Sequence, residues 1–540
     1  RLWSALPAFG TAILTWNLGK LLYGGYTGML SALILVSSVG VFRSVKVAAT
    51  DFLLVFSITL ALYGFVKAYQ STVDRRPSTV NRQWSLLFWL GMALGVLSKG
   101  LIGVVFPLLI ITLWAIVNSQ WSRVNGGGRR TIDDLRLTIY SPVGLLLFLG
   151  LTVPWHVLAA HRNSGFFDFY IIDNQLLRFF NRRGFIEDDI PVGTLSFLIL
   201  TLVGFFPWSL FLPAALRHAF PRFASAASLQ ERLRLVVGLW VVVVLGFFSL
   251  SSSKLEHYYL PAVPALSLMV GAAWARVVNS QWSIVNRQSS FPPPIDQLPL
   301  TNDSRRSRVL MRWCLGVGAL GCAVVGLGLF LFADLFTPQM LMAGLAGLDV
   351  DYRILQAQGT AFPFAVFPFI ELIKVLGISL VLACPLAYLF LRRRKPTASF
   401  VTLLGLAGII AVLEVRFVLL VEPHHSSRSV AEALASQAGA NDVIVHEGSL
   451  EYSGGLPFYT AKKIHILNGR RGSLDFGSRY QDASPLFLDE DRFHDLWKSH
   501  KRVFLIRRLP QKESLLRDIS EEVFFVGQFG SRRLYTNKPL

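Results

Sequence analysis

The chain has 540 residues, 53% of them hydrophobic, 13% aromatic and only 16% charged; an average soluble domain is about 25% charged. That composition excludes a disordered chain, a disulfide scaffold and an ordinary soluble enzyme, and it marks a polytopic membrane protein. The net charge of +19 then becomes a question of sidedness, because basic loops stay in the cytoplasm.

About 20 apolar residues cross a bilayer. Twelve such runs follow one another, near residues 2–19, 26–42, 51–69, 85–98, 101–117, 140–159, 194–214, 233–250, 259–276, 311–332, 367–391 and 399–421. The fourth and fifth are short, and Ser98-Lys99-Gly100 separates them, which predicts a tight helical hairpin. An even number of spans puts both chain ends on one side.

Sorting the charges gives 23 basic against 6 acidic residues on one set of connections and adjoining helix ends. The opposite set holds 12 against 12, and the tail 422–540 holds 17 against 15. The basic set is cytoplasmic. The linker 277–310 is therefore expected inside, and the loop 160–193 and the tail outside.

The expected domains are a transmembrane part, 1–421, and an extracytoplasmic tail, 422–540. The tail reads as helix 426–437, strand 442–446, apolar stretch 463–467, helix 490–498, strand 502–506 and strand 522–528. Helical periods alternating with short β-rich runs predict a small α/β domain. The fold class is thus an all-α membrane bundle with a small α/β appendage.

Two minor features carry no chemistry. Val80-Asn81-Arg82-Gln83-Trp84-Ser85 is echoed at Val117–Ser122 and Val278–Ser283, and reads as insertions that cytosolic loops tolerate. Cys314, Cys322 and Cys384 fall inside spans without a CxxC pair, so packing is their expected role.

Candidate functional residues gather at the outer edge. Asp51 opens the third span and Lys99 sits in the hairpin turn. Trp155, His161 and Arg162 follow the sixth span, and Asp168, Asp173, Asn174 and Arg178 lie in the loop after it. Lys254, His257, Tyr258 and Tyr259 join the eighth and ninth spans. Each also has a plainer use as a helix cap, a snorkelling cation or an interfacial aromatic. Glu371 with Lys374, and Glu414 with Arg416, lie deeper and are expected to pair among themselves, since intramembrane charge is costly. Lone cations facing the same side as an acid suit an anionic lipid: two or more donors hold a phosphate, and a carboxylate acts on an acceptor hydroxyl.

The ordered motifs resemble the bacterial lipid-linked-sugar glycosyltransferases of the protein mannosyltransferase and aminoarabinose transferase type. Gly91 to Gly100 followed by Phe106-Pro107 is similar to that family's "gla-LtKG…P" segment. Pro154-Trp155, Phe166-Phe167 and Asn174 to Arg178-Phe179 resemble its "PW…F…E-H/N…RF" loop. Gly204-Phe205-Phe206-Pro207-Trp208 resembles its "G-lPW" helix. Ser253 to Pro261 followed by Pro264 resembles its "K-lp-Y-lP-lP" segment, and Leu456-Pro457-Phe458-Tyr459 its C-terminal "lpFY".

The resemblance implies a GT-C membrane fold of thirteen spans with an outer C-terminal domain. It implies a polyprenyl-phosphate-sugar donor, a lipid, glycan or protein acceptor, membrane lipids as surroundings, and no nucleic acid. Lys99, Arg178, Lys254 and Tyr258 would bind the donor phosphate, and Asp51 would be a secondary acid. The family's first span and its main aspartate are expected before Arg1. The resemblance fixes no cofactor and leaves a divalent metal open; Asn174-Gln175 stands where the family often has Glu-His, a pair sometimes assigned to a metal. The location implied is the cytoplasmic membrane of a bacterium. A transporter or lipid-linked-sugar flippase is the alternative; it calls for polar residues near mid-bilayer and broken helices in paired repeats.

Overall fold

The structure, a computed structural model, describes residues 2–47, 49–75, 78–124, 141–180, 182, 192–219, 228–285, 302–347, 350–357, 359, 361–470, 472–508 and 522–539. It separates into two compact units. The first comprises Arg1–Arg182, Pro191–Gly328 and Leu376–Val412, and the second comprises Arg183–Ile190, Leu329–Val375 and Leu413–Leu540.

All twelve predicted runs are helical. Among the described residues eight helices are long and apolar enough to cross a membrane, and two bent pairs raise that number to ten. One pair is α2 (Gly25–Val36) with α3 (Val39–Val45), bent by 61°; the other is Thr194–Gly204 with Trp208–Arg217, bent by 103°. The remaining runs are α1 (Leu2–Tyr23) and α5 (Ser78–Lys99). Both are helices of 22 residues, diluted by polar positions such as Thr11, Thr15 and Asn17 in the one and Asn81, Arg82 and Gln83 in the other.

In the first unit, α4 (Asp51–Val73) is the spine. It is mostly buried and lies along α5, which is why its sequence is apolar on nearly every face. The expected hairpin is present. Chain direction reverses at Gly100, whose φ of +76° suits glycine, and α6 (Ile102–Val124) returns along α5. A Cβ built on Gly95 would lie 2.7 Å from the Cα of Gly103, so the two helices touch backbone to backbone as small residues allow. The repeated VNxQWS segments lie at the start of α5 and at the ends of α6 and Val263–Val285.

The second unit has a membrane part and a sheet. Met342, Leu345, Tyr352, Leu355, Phe369 and Val421 form one apolar cluster. Lys374 bonds Asp334 at 2.7 Å. The expectation that Glu371, Lys374, Glu414 and Arg416 pair among themselves is therefore corrected for Lys374: Asp334 lies in a short turn, Ala333–Leu335, that the linear pattern did not bring near.

The sheet has the order β3-β2-β1-β4-β6-β5. Strands β1 (Val443–Glu447), β2 (Ile464–Leu467), β3 (Phe487–Leu488) and β4 (Val503–Arg508) are parallel; β5 (Phe524–Phe529) and β6 (Arg532–Thr536) complete it antiparallel. Alternate residues serve two cores. Ile444, Phe504 and Ile506 face Val430 and Leu434 of helix Arg428–Gln437, whereas Val445, Val503 and Leu505 face Phe493 and Trp497 of helix Glu490–Lys498. The period of two thus places a helix on each face, as parallel strands require. The predicted tail elements are all present, and β3 and β6 are additions.

Candidate active site

Asp51 begins α4, and Lys99 ends α5, where a cation is favoured by the exposed carbonyls of a helix terminus. The packing of α4 along α5 brings the two together: Lys99 Nζ lies 2.9 Å from Asp51 Oδ1. His257 Nε2 is 3.7 Å from the same oxygen. The pair is partly exposed, at 34% for the lysine and 21% for the aspartate. Its net worth to stability is therefore small, and either partner is available to a ligand.

The described part of the loop after the sixth span is helical. Asp168–Leu177 is a π-helix, and Arg178 follows at its end. Wide turns of this kind are rare and recur at functional sites. Here the turn brings Tyr170, Gln175 and Arg178 towards the hairpin. Tyr170 Oη donates to the Val96 carbonyl at 3.4 Å, and Gln175 Nε2 donates to the Lys99 carbonyl at 3.5 Å.

These groups enclose a cavity of about 310 Å³ whose polar lining includes Asp51, Lys99, Tyr170, Arg178, His257 and Tyr258. Beside it lies an apolar groove of about 400 Å³ walled by Leu101, Val105, Ile172, Leu176, Phe180 and Phe247. Asn174, Gln175, Arg178 and Tyr258 line both. A cationic chamber thus continues into a greasy channel, the shape of a site for a polar head on a hydrocarbon tail.

The structure brings four of the five expected site residues to this chamber: Asp51, Lys99, Arg178 and Tyr258. Lys254 lines neither space. It is 4% exposed, and its ammonium donates to the Ser251 carbonyl at 2.5 Å. That bond braces the segment 251–254, which is itself stitched to the residue after Arg178: Ser252 N–H donates to the Phe179 carbonyl at 2.9 Å. Trp155, Asn174 and His257 also reach the chamber. His161, Arg162 and Asp168 are exposed outside it. Tyr170 escaped the sequence reading, although Phe166, Tyr170, Asn174 and Arg178 fall at a helical spacing that would have exposed it. Among the described residues, no three His, Cys, Asp or Glu side chains converge to hold a metal.

The comparisons with known proteins agree with this architecture. The family described as dolichyl-phosphate-mannose-protein mannosyltransferase matches residues 1–170. An undecaprenyl phosphate-alpha-4-amino-4-deoxy-L-arabinose arabinosyl transferase of Pectobacterium carotovorum is 25% identical over 503 residues, 92% of this chain and 75% of that protein. An uncharacterized Aquifex aeolicus protein is 30% identical over 273 residues, covering 50% of this chain and 54% of its own. The crystal structure of ArnT from Cupriavidus metallidurans bound to undecaprenyl phosphate superimposes with a TM-score of 0.72 at 20% identity, over 100% of this chain and 84% of that one. The shared architecture is the GT-C membrane fold.

Proposed function

We propose that this chain, an ArnT-like membrane protein of the GT-C fold, is a glycosyltransferase that moves a sugar from a polyprenyl-phosphate carrier to an acceptor at the outer face of the cytoplasmic membrane. The observation that carries this is the polar chamber with two cations, Lys99 and Arg178, opening into an apolar groove. The groove takes the polyprenyl tail and the chamber takes the phosphate and sugar. Undecaprenyl phosphate, bound in the Cupriavidus structure, is the carrier class this geometry fits.

The chemistry follows from the charges. An acceptor oxygen attacks the anomeric carbon as the bond from that carbon to the phosphate oxygen breaks, with inversion. The bond pair leaves with the phosphate. Lys99 and Arg178 oppose the charge that develops there, and Tyr258 donates a hydrogen bond. When the phosphate engages Lys99, Asp51 is released from its ion pair. Its carboxylate then orients the acceptor hydroxyl and is placed to take the proton. Lys254 acts at one remove, by fixing the backbone next to Arg178.

The rest of the reading concerns placement. The tail from residue 422 lies outside, on the face of the loop 160–193, because the opposite connections carry the positive charge.

The test is reconstitution of the full chain in liposomes with a panel of polyprenyl-phosphate sugars and lipid, glycan and peptide acceptors. Release of polyprenyl phosphate with a glycosylated product is expected. Movement of the donor between leaflets without cleavage would favour a flippase and overturn the transferase reading.

A further inference from the structure

Three packed helices bring cations together at the end of the bundle away from the candidate active site. Lys20 and Tyr23 come from α1, Arg234 from the helix Leu229–Leu250, and Arg276 from the helix Val263–Val285. At roughly 1.5 Å of rise per residue, Arg234 lies about 24 Å along its helix from Leu250. Ser251, the next residue, lines the apolar groove. That span approaches the hydrocarbon thickness of a bilayer, about 30 Å, so the arginine reaches the opposite interface.

Arg234 is held in place there. Its Nε donates to the Leu22 carbonyl at 2.9 Å, one of the acceptors left over at the end of α1. Its guanidinium carbon lies 5.0 Å from the centre of the Tyr23 ring, a cation–π contact. Both side chains are half-buried, whereas Lys20 is exposed. Among the described residues, neither Lys20 nor Arg234 is bonded to a carboxylate. The acid nearest in sequence, Glu231, is used elsewhere: it accepts from the Ser228 N–H at 2.8 Å and closes the capping box of its own helix. Arg276 adds a third positive charge within electrostatic reach of the Tyr23 phenol.

With Nε occupied, the two Nη groups of Arg234 are the edge left to a ligand. A guanidinium already fixed by a hydrogen bond and a ring loses little freedom on binding, and its planar fork matches a phosphate. Depth selects the source of that phosphate. Phospholipid phosphates lie at the membrane interface, and basic pockets between membrane helices seat anionic head groups. A zwitterionic head group would bring its own ammonium among these cations. We propose that Lys20, Arg234 and Arg276 form a site for the phosphate of an anionic phospholipid in the leaflet opposite the active site. The proposal stands whether or not the chain transfers a sugar.

The experiment titrates the full chain, in a neutral detergent, with cardiolipin, phosphatidylglycerol or phosphatidylcholine. Native mass spectrometry counts the retained lipid, and melting without lipid checks each variant's fold. The two anionic lipids should be retained and phosphatidylcholine should not. Arg234→Gln should weaken retention at least tenfold, and Arg234→Lys, which keeps the charge and loses the fork, should recover only part. Lys20→Gln, at an exposed position, should weaken it about fivefold and carries the test if Arg234→Gln does not fold. Arg393→Gln removes an exposed cation just past the helix Val366–Arg392 and should change nothing. Equal retention of phosphatidylcholine, or variants at 20 and 234 that bind as the parent does, would overturn the site. So would an equal loss in Arg393→Gln, which would mark a diffuse surface charge, or displacement of the lipid by excess inorganic phosphate, which would mark a site for the free anion.

Discussion

The ammonium of Lys99 and the carboxylate of Asp51 meet at 2.9 Å across the gap between the end of one helix and the start of another. Each neutralises the other, and in the proposed mechanism the donor phosphate takes Lys99 from Asp51. Lys99→Ala should therefore lower kcat/KM by about 10²–10³, the usual loss when one donor to a developing anion is removed, and Lys99→Arg should restore part of it. Steady-state release of polyprenyl phosphate is the measurement. Unchanged turnover at saturating donor would remove Lys99 from the leaving-group role.

Lys254 and Arg178 should separate in the same assay. Arg178→Gln is expected to cut kcat/KM by at least tenfold. Lys254→Met should reduce thermal stability by about 1.5–3 kcal/mol, the worth of a hydrogen bond to a charged group, with a smaller effect on kcat. A Lys254 variant that melts normally but loses turnover as Arg178→Gln does would place its ammonium on the donor.

The hairpin carries its own prediction. A Cβ on Gly103 would lie 2.2 Å from the carbonyl carbon of Gly95, and backbone cannot yield as a flexible side chain can. Gly103→Ala should cost about 1–3 kcal/mol through overpacking and should weaken donor binding, because it spreads the turn that holds Lys99. Thermal unfolding followed by donor titration reads both effects.

The sheet makes stability depend on pH. His446 is fully buried, and burial holds its imidazole down at about 4. Its neighbours fix the neutral form. The Gly448 carbonyl takes the Nδ1 proton at 3.3 Å, Ser453 donates to Nε2 at 2.9 Å, and Arg532 Nε in turn donates to Ser453 at 3.0 Å. Protonation would set a cation beside that arginine. The unfolded chain binds this proton below its ordinary value of 6.5 and the folded one does not. Stability is therefore full above about pH 6.5 and falls towards pH 4, by up to about 3 kcal/mol. Proteolysis of the tail in the full chain should accelerate over that window, and His446→Gln should flatten the profile. A carboxyl near by runs the other way: burial raises the Glu447 pKa, so its contribution declines as pH rises above the usual carboxylate range.

Glu447 and Arg507 are bonded at 2.5 Å, with 8% and 7% of their side chains exposed. Removing one partner strands a buried charge, so Arg507→Met should destabilise the sheet by about 3–5 kcal/mol. The double replacement by Leu and Met should be much milder. Urea unfolding of the tail, followed by the fluorescence of Trp497, distinguishes the two.

Much of this was legible because apolarity adds up along a window. Each of the twelve runs became helix, two of them with a bend in the middle, since a long apolar window favours helix whatever the local turn preference. The hairpin was legible from the shortness of two neighbouring runs and the Ser98-Lys99-Gly100 break between them. The π-helix at 168–177 was not, because the pattern Asp-Phe-Tyr-Ile-Ile-Asp has no turn signal and too few apolar residues for a span. Strand β6 was missed because Arg532-Arg533-Leu534-Tyr535-Thr536 is short and starts with two charges; its arginines are paid for by the ladder to β4 and by burial of Arg532 against Ser453. At the site, the acid and the hairpin lysine could be read from helix ends, since a terminus faces water. The direction of Lys254 could not, because a turn of four residues decides whether an ammonium points into a cavity or back onto its own carbonyls.

The turn between β5 and β6 rests directly on the last residues of the helix Pro396–His425. Ser531 N–H donates to the His424 carbonyl at 3.0 Å, and Arg532 reaches the Ser426 carbonyl at 3.1 Å. Gly530 lies so near Pro423 that a Cβ would come within 2.4 Å of its carbonyl oxygen. The sheet is thus bolted to the helix end at a second point, far along the sequence from the covalent one. Two attachment points, one covalent and one made of hydrogen bonds, fix the turn of the sheet on the last turn of that helix, where a single tether would leave it free to rotate about one bond.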